Sequence, residues 1–119
     1  STDAALLGRL AEDHVLSLLQ GEKYQLVERN FRCRGGEIDL IMRDGEDLVF
    51  VEVRYRKRDA FGSAAESISS AKRARIITTA SCYLQRQPVE PPCRFDVVAV
   101  EFDGEEAKVR HLEDAFRPG

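Results

Sequence analysis

Two runs of alternating residues around an Asp-Gly turn constrain the fold of this chain more than any other feature of its sequence. Residues 37–43 read Glu-Ile-Asp-Leu-Ile-Met-Arg, and residues 48–54 read Leu-Val-Phe-Val-Glu-Val-Arg. A period of two residues with many β-branched side chains predicts two strands, and the turn residues Asp44-Gly45 predict an antiparallel hairpin. The fold must therefore be built on a sheet that contains this hairpin.

The length of the hairpin loop decides which side chains face each other. A loop at residues 44–47 places Asp39 directly opposite Glu52. A two-residue turn at Asp44-Gly45 moves Glu52 one diagonal away but leaves it on the same face as Asp39. Both registers predict that the two carboxylates share one face of the sheet.

The two faces of the hairpin differ in composition. One face is apolar throughout and is expected to pack in the core: Ile38, Leu40, Met42, Val49, Val51 and Val53. The other is apolar beside the turn and charged at the far end: Glu37, Asp39, Ile41, Leu48, Phe50, Glu52 and Arg54. Because a solvated face would scatter its polar residues, this segregation predicts a charged pocket at one end of the hairpin.

Helical spacing, turn residues and further alternation predict the other elements. They are a helix that begins after Thr2 or Asp3 and ends before Gly21, a strand at 24–31, a helix from Ser69 or Ser70 that ends before Pro88, and strands at 94–101 and 107–112. The order α-β-β-β-α-β-β predicts one α/β domain over residues 1–119, with a mixed sheet flanked by helices. The third and fourth strands should be parallel, because a helix connects them.

The acid pair is compatible with two interpretations. Two carboxylates about 5 Å apart repel each other, so one pKa rises unless a cation shares the site. Carboxylate ligands suit Mg²⁺ or Mn²⁺, which polarise phosphoryl oxygens and activate water. The alternative is that Arg54 and nearby arginines neutralise the pair as surface salt bridges. Glu12 lies at the margin of the apolar stripe of the first helix, so it should lie near the sheet.

Basic residues are concentrated in the middle of the chain, although the net charge is −3. Residues 29–75 carry eleven Lys or Arg against eight Asp or Glu, whereas both flanking segments are acidic. The basic residues form three groups: Arg29, Arg32 and Arg34; Arg54, Arg56, Lys57 and Arg58; and Lys72, Arg73 and Arg75. These groups predict either a phosphate-binding rim or an ordinary solvated surface.

Cysteines, histidines and apolar runs exclude several classes of protein. Cys33, Cys82 and Cys93 form no CxxC motif, which predicts small buried hydrophobic residues and not a disulfide framework or a zinc ribbon. His14 and His111 are too far apart in sequence to indicate a metal site. The apolar runs are too short to span a membrane, and the N-terminus does not resemble a signal peptide, so we expect a cytoplasmic protein.

The order of several motifs resembles that of the YraN-like family of uncharacterised small proteins. These motifs are Gly36-Glu37-Ile38-Asp39-Leu40-Ile41, Val49-Phe50-Val51-Glu52-Val53-Arg54, Phe61-Gly62, Lys72 and Arg94-Phe95-Asp96-Val97-Val98. That family resembles the restriction-endonuclease-like superfamily and is similar to archaeal Holliday junction resolvases. In that superfamily, an acid on one strand and an acid-x-Lys motif on the next bind Mg²⁺ and cut a phosphodiester, often with a glutamate from the first helix.

The resemblance assigns roles to individual residues. Asp39 matches the first acid, Glu52 the second and Glu12 the helix glutamate, and these three are the expected ligands of Mg²⁺ or Mn²⁺. Arg54 stands where a lysine is expected, and a guanidinium does not take a proton from water. Arg54 is therefore expected to contact phosphate, with Lys72 or Lys57 as an alternative source of an amine.

Three functions follow from this comparison. The first is a metal-dependent endonuclease that acts on branched or otherwise structured DNA, which implies a homodimer on a two-fold symmetric substrate. Its expected contacts to nucleic acid are Arg54, Arg56, Lys57, Arg58, Lys72 and Arg73. The second is a nucleic-acid-binding module that has lost cleavage along with its lysine. The third is an interaction protein whose carboxylates only solvate the sheet.

Overall fold

The predicted hairpin lies at the centre of a five-stranded sheet with one helix on each face. The computed structural model describes residues 3–57 and 67–119, and its elements follow the predicted order. These elements are α1 (Ala4–Gly21), β1 (Gln25–Cys33), β2 (Gly36–Asp44), β3 (Asp47–Tyr55), α2 (Ser70–Leu84), β4 (Cys93–Asp103) and β5 (Glu106–Phe116). The mixed α/β architecture is therefore confirmed.

The sheet has the strand order β1-β2-β3-β4-β5, and every neighbouring pair is antiparallel except β3 and β4. Helix α2 connects β3 to β4, which explains why those two strands run in parallel, as predicted. In the hairpin Ile41 pairs with Phe50 and Asp44 with Asp47. These pairs confirm the register set by a loop at residues 44–47.

Each helix begins at a side-chain cap. The Asp3 carboxylate accepts a hydrogen bond from the Ala5 amide at 2.9 Å, and the Ser69 hydroxyl accepts one from the Lys72 amide at 3.1 Å. Such caps satisfy amides that have no partner within the first turn of a helix. The cap at Ser69 positions Lys72 in the first turn of α2.

The sheet separates two apolar clusters. The cluster under α1 contains Ala11, Val15, Leu19, Tyr24, Leu40, Met42, Val49, Val51, Val98 and Val100. The cluster under α2 includes Phe31, Ile38, Ile41, Leu48, Phe50, Ile76, Ala80, Tyr83, Phe95 and Val97. Because both faces of β2 and β3 are covered near the turn, these strands are apolar on both sides there.

Ile38 does not share a face with Leu40, so the predicted apolar face is wrong at this residue. Ile38 packs in the cluster under α2, whereas Leu40 packs under α1. The paired residue Phe31 of β1 also faces α2, and Asn30 beside it has a φ of 55°. The backbone pairing of β2 with β3 ends at Leu40 and Val51, so the regular alternation of the hairpin does not extend to Ile38.

The cysteines also differ from the prediction. Cys33 at the end of β1 and Cys82 in α2 form a disulfide, and Cys93 is a free, exposed thiol. Sequence spacing does not reveal this pairing, because 49 residues separate the two cysteines and only the packing of α2 on the sheet brings them together. No helix among the described residues is long and apolar enough to cross a membrane.

Candidate active site

Asp39 is fixed where strands β2 and β3 stop pairing. The last backbone pair of the hairpin before the open end joins Leu40 to Val51. Beyond it, the amide of Val53 donates a hydrogen bond of 2.7 Å to Oδ2 of Asp39. The carboxylate thus replaces a backbone carbonyl as the partner of β3, and it is held between the two diverging strands.

The carboxylate of Asp39 borders a cavity on each face of the sheet. On the α2 side, a cavity of about 200 Å³ is lined by Asp39, Glu52 and Lys72, together with Arg75 and the β1–β2 turn. On the α1 side, a cavity of about 420 Å³ is lined by Asp39 and Glu12 with several basic residues. This double access agrees with the opposite orientations of Ile38 and Leu40 on either side of Asp39.

Glu52 is buried beside Asp39 and is paired with a lysine from α2. Its side chain is 4% exposed, and Nζ of Lys72 lies 2.6 Å from its Oε2. The contact is an ion pair without hydrogen-bond geometry, because Oε2 has no hydrogen-bond partner within the described parts of the chain. The predicted alternative of an arginine-neutralised surface pair therefore does not describe Glu52, which is buried and neutralised by lysine.

The pKa of Asp39 is raised by its surroundings. Burial raises the pKa of Asp39 well above that of an ordinary aspartate, and the negative charge of Glu52 and a hydrogen bond to it raise this pKa further. The hydrogen bond from the Val53 amide lowers the pKa of Asp39, but the effects of burial and of Glu52 are larger. With its pKa raised to about 9, Asp39 therefore keeps its proton at neutral pH in this arrangement.

Glu12 lies near the acid pair, as the helical wheel predicts, but its carboxylate has a partner of its own. It shares the α1-side cavity with Asp39, and its charge raises the pKa of Asp39 after the larger effects of burial and Glu52. Its Oε1 accepts a hydrogen bond of 2.8 Å from Arg29. A direct role as a metal ligand would require Glu12 to exchange this arginine for the ion.

The guanidinium of Arg54 is hydrogen-bonded to the backbone just before α2. Arg54 does not line either cavity. Its Nη2 donates a hydrogen bond of 3.4 Å to the carbonyl of Ser67, while its Nε is buried and has no hydrogen-bond partner among residues 3–57 and 67–119. Within residues 3–57 and 67–119, it is thus Lys72 and not Arg54 that forms an ion pair with the acid pair.

Of the remaining predicted nucleic-acid contacts, Arg56, Lys57 and Arg73 do not line the α2-side cavity with the acid pair. Arg73 packs over the Phe116 ring at 5.6 Å, on the side of β5. Arg56 and Lys57 follow β3 and do not line the α2-side cavity, and Arg58 lies outside the described residues, as do Phe61 and Gly62. Sequence reasoning grouped these residues by their proximity in the chain, which says little about where a long side chain ends.

The donor set fits a divalent cation with two protein carboxylates. Asp39 and Glu52 supply oxygen atoms, one of which is buried and lacks a hydrogen bond. No group of three or more His, Cys, Asp or Glu side chains that could hold a metal occurs in the described part of the chain. Mg²⁺ commonly binds through one or two carboxylates and completes its shell with water and substrate phosphate, so the pair suffices for that ion.

A second polar cluster accounts for the Arg94-Phe95-Asp96 motif. Asp96 is fully buried, and its carboxylate lies 2.7 Å from Nε2 of His111 and 3.0 Å from both Nε of Arg94 and the amide of Asp114. Arg94 also donates to the hydroxyl of Tyr24 at 2.8 Å. Since both carboxylate oxygens are satisfied, this network acts as a structural tie between β4, β5 and the end of α1.

Comparisons with known proteins agree with the resemblance found in the sequence. Residues 11–100 match the family described as uncharacterised protein family UPF0102. A UPF0102 protein of Janthinobacterium sp. (strain Marseille) is 56% identical over 105 residues, covering 88% of this chain and 84% of the relative. A UPF0102 protein of Nitrosococcus oceani is 48% identical over 112 residues, covering 92% and 90%. One from Hahella chejuensis is 55% identical over 93 residues, covering 77% and 75%.

Proposed function

Because this chain belongs to UPF0102, an uncharacterised protein family, its activity has to be inferred from its own residues, and we propose that it is a Mg²⁺- or Mn²⁺-dependent endonuclease for branched or otherwise structured DNA. The observation that carries the proposal is the contact of buried Glu52 with half-buried Asp39 and with Lys72, all three of which line one cavity. The resemblance to restriction-endonuclease-like proteins supports the same conclusion.

Asp39 and Glu52 are the proposed ligands of the cation. A divalent ion at this position supplies a Lewis acid for a phosphoryl oxygen and activates water. The hydrogen bond from the Val53 amide orients Asp39, and the surrounding apolar core keeps Glu52 from water. The protein therefore holds two acids together at a cost in electrostatic energy, which a cation would relieve.

Lys72 and Arg54 are assigned different roles. The ammonium of Lys72 balances the charge of Glu52 and is placed to contact a non-bridging oxygen of a phosphodiester in the α2-side cavity. The guanidinium of Arg54 donates a hydrogen bond to the carbonyl of Ser67. Its proposed role is to contact a phosphate outside that cavity. Glu12, joined to Arg29, sits at the other entrance to Asp39 as an outer ligand or a group that orients water.

DNA is the proposed partner, bound through the basic middle of the chain. A branched junction has two-fold symmetry, so two copies of the protein acting as a homodimer would place one acid pair on each of two strands. Such a substrate implies a cytoplasmic site of action.

Cleavage of labelled DNA tests this function. Four-way junction, flap, duplex and single-stranded substrates are incubated with the protein and Mg²⁺, Mn²⁺ or EDTA under single-turnover conditions. We expect metal-dependent cleavage that falls by at least about 100-fold in Asp39→Asn and in Glu52→Gln, because each removes one ligand of the ion. The matched control is Glu105→Gln, an exposed acid in the β4–β5 turn, which should cleave like the wild type.

The same experiment separates the endonuclease from a catalytically inactive DNA-binding module. The ion pair between Lys72 and Glu52 is a specific observation in favour of the module, since it neutralises an acid without any metal. Binding of branched DNA with no cleavage in any metal would establish the module and reject the endonuclease. Cleavage that persists undiminished in both carboxylate variants would reject this acid pair as the site.

A further inference from the structure

A groove beside the acid pair is suited to an anion, and it involves two arginines that are not part of the proposed catalytic set. We propose that this groove, between the β1–β2 turn and α2, binds a second backbone phosphate of the nucleic-acid strand, with Arg34 and Arg75 as its contacts. The proposal deepens the proposed function and rests on it for the identity of the strand. In this proposal, the nucleic-acid strand runs from the acid pair along the β1–β2 turn.

Three concave surfaces meet at the turn and form this path. The α2-side cavity with the acids includes Gly36 and Arg75. A cavity of about 170 Å³ continues from it, lined by Arg34, Gly36, Ala74, Arg75, Thr78 and Thr79. A third surface of about 390 Å³ covers the turn itself, with Arg34 and Gly36 again in its lining. Gly36 belongs to all three, so the surfaces are contiguous.

The walls of the groove are held at a fixed separation. A Cβ atom on Gly36 would lie 2.1 Å from the Thr79 hydroxyl, so only glycine permits this close approach of β2 and α2. That hydroxyl donates a hydrogen bond of 2.8 Å to the carbonyl of Arg75, and the disulfide between Cys33 and Cys82 joins the same two walls. A preformed groove loses little entropy when a ligand enters it.

The two arginines of the groove have no acidic neighbour in the lining of the 170 Å³ cavity, although Glu37, Asp39 and Glu52 line the adjoining cavities. Arg34 and Arg75 make no ion pair with any described residue, and the lining of the 170 Å³ cavity contains no acid. By contrast, Nε of neighbouring Arg32 lies 2.7 Å from Glu37. Two unpaired guanidinium groups beside the hydroxyl of Thr78 form a site for a phosphate, which arginine recognises through paired N–H donors.

The dimensions of the groove fit one backbone phosphate. A volume of about 170 Å³ admits a phosphate and part of its sugar but not a base pair. Since the groove leads directly into the cavity with Asp39 and Glu52, a phosphate held by Arg34 and Arg75 would place a neighbouring phosphate of the same strand at the acids.

Fluorescence anisotropy with a labelled single-stranded oligonucleotide tests the groove. Binding is measured in EDTA, so that no cleavage occurs, over a series of salt concentrations for the wild type, Arg34→Gln, Arg75→Gln and the double variant. We expect each single change to weaken binding about fivefold and to lower the slope of log K against log salt by about 0.7, the value for one phosphate contact on a single strand. Binding of the matching duplex should change less.

Arg110→Gln is the matched control. Arg110 is an exposed arginine on β5, at the opposite edge of the sheet from β1. The proposal is overturned if the double variant keeps the wild-type affinity and salt slope, if Arg110→Gln loses as much affinity, or if the wild type does not bind the oligonucleotide. Because binding is measured without metal, absence of cleavage would reject the endonuclease and leave this result unaffected.

Discussion

At the scale of single residues, the cation that contacts the acid pair comes from a helix and not from strand β3. Lys72 reaches Glu52 from the first turn of α2, whereas Arg54, two residues after Glu52 on the same strand, is bonded to the carbonyl of Ser67. An ammonium on a flexible stem adapts to a nearby metal or phosphate more readily than a planar guanidinium. In the proposed endonuclease, Lys72 therefore takes the role of the lysine that the resemblance led us to expect at residue 54.

This arrangement predicts that Lys72→Met lowers cleavage by at least about tenfold and makes the protein more dependent on metal for stability. The loss of the ammonium leaves Glu52 buried without a positive partner, which we expect to cost about 1–2 kcal/mol once the partial exposure of Lys72 is taken into account. Thermal unfolding with and without Mn²⁺ measures the loss of stability. Mn²⁺ should raise Tm more in Lys72→Met than in the wild type.

Two comparison variants distinguish this role from a surface salt bridge. Lys72→Arg should restore stability but only part of the cleavage, and Arg54→Lys should retain or increase cleavage. If Lys72→Met unfolds like the wild type with and without Mn²⁺ and cleaves at the same rate, Lys72 has no role at the acid pair.

At the scale of elements, the buried network around Asp96 joins β4 to β5 and to the end of α1. The hydrogen bond to Asp96 raises the pKa of His111, although burial acts against it. Burial by itself would raise the pKa of Asp96, but the hydrogen bonds from His111, the Asp114 amide and Arg94 outweigh it and lower that pKa. Both shifts favour the charged pair in the folded protein.

The network predicts a stability that depends on pH in two directions. The contribution of protonated His111 is fully present below its unfolded pKa of 6.5 and is lost as pH rises through the higher folded value. The contribution of Asp96 is present above its unfolded pKa of 3.8 and is lost as pH falls through the lower folded value. Urea unfolding should show the wild type more stable at pH 6 than at pH 8 by at least about 1 kcal/mol, the order of one charge-assisted hydrogen bond. The raised pKa of Asp39 adds to this difference in the same direction.

His111→Gln should reduce the difference between pH 6 and pH 8, because glutamine retains an N–H donor but does not titrate. The part that remains is assigned to Asp39, whose raised pKa also lowers stability as pH rises. His14→Gln is the control, since His14 is exposed on α1. An undiminished difference in His111→Gln would show that other groups cause it.

At the scale of the whole molecule, structure that depends on neighbouring residues could be predicted from the sequence, whereas contacts between distant residues could not. The register of β2 with β3 follows from a short loop and two apolar faces, so the proximity of Asp39 and Glu52 could be inferred from residues 37–54. The contact between Lys72 and Glu52 depends on how α2 docks on the sheet, which residue spacing does not specify. The reversed face of Ile38 lies beyond the last backbone pair of β2 with β3, and residue alternation does not specify where two strands stop pairing.

The disulfide predicts a large difference in stability between the oxidised and reduced protein. Its two cysteines are 49 residues apart, and closing a loop of this length in the unfolded chain corresponds to about 4 kcal/mol in the chain-entropy treatment. Urea unfolding of the oxidised protein, of the protein in a dithiol reductant and of Cys82→Ser measures this difference. Cys93→Ser should have no comparable effect, because Cys93 is free and exposed.

Thiol titration provides an independent check on the disulfide. The oxidised protein, once denatured, should expose one reactive thiol of its three cysteines, and the reduced protein should expose three. Three thiols without reductant would contradict the bridge between Cys33 and Cys82.

The same bridge closes a covalent ring that contains most of the candidate site. Asp39, Glu52, Arg54 and Lys72 all lie between Cys33 and Cys82, whereas Glu12 lies outside. A protease that cuts the backbone once within the ring produces two chains that remain linked, so the protein would keep its mass under non-reducing electrophoresis and separate into two fragments only after reduction. A nicked molecule could thus retain both walls of the groove, with β2 and α2 still tethered to each other although the chain between them is broken.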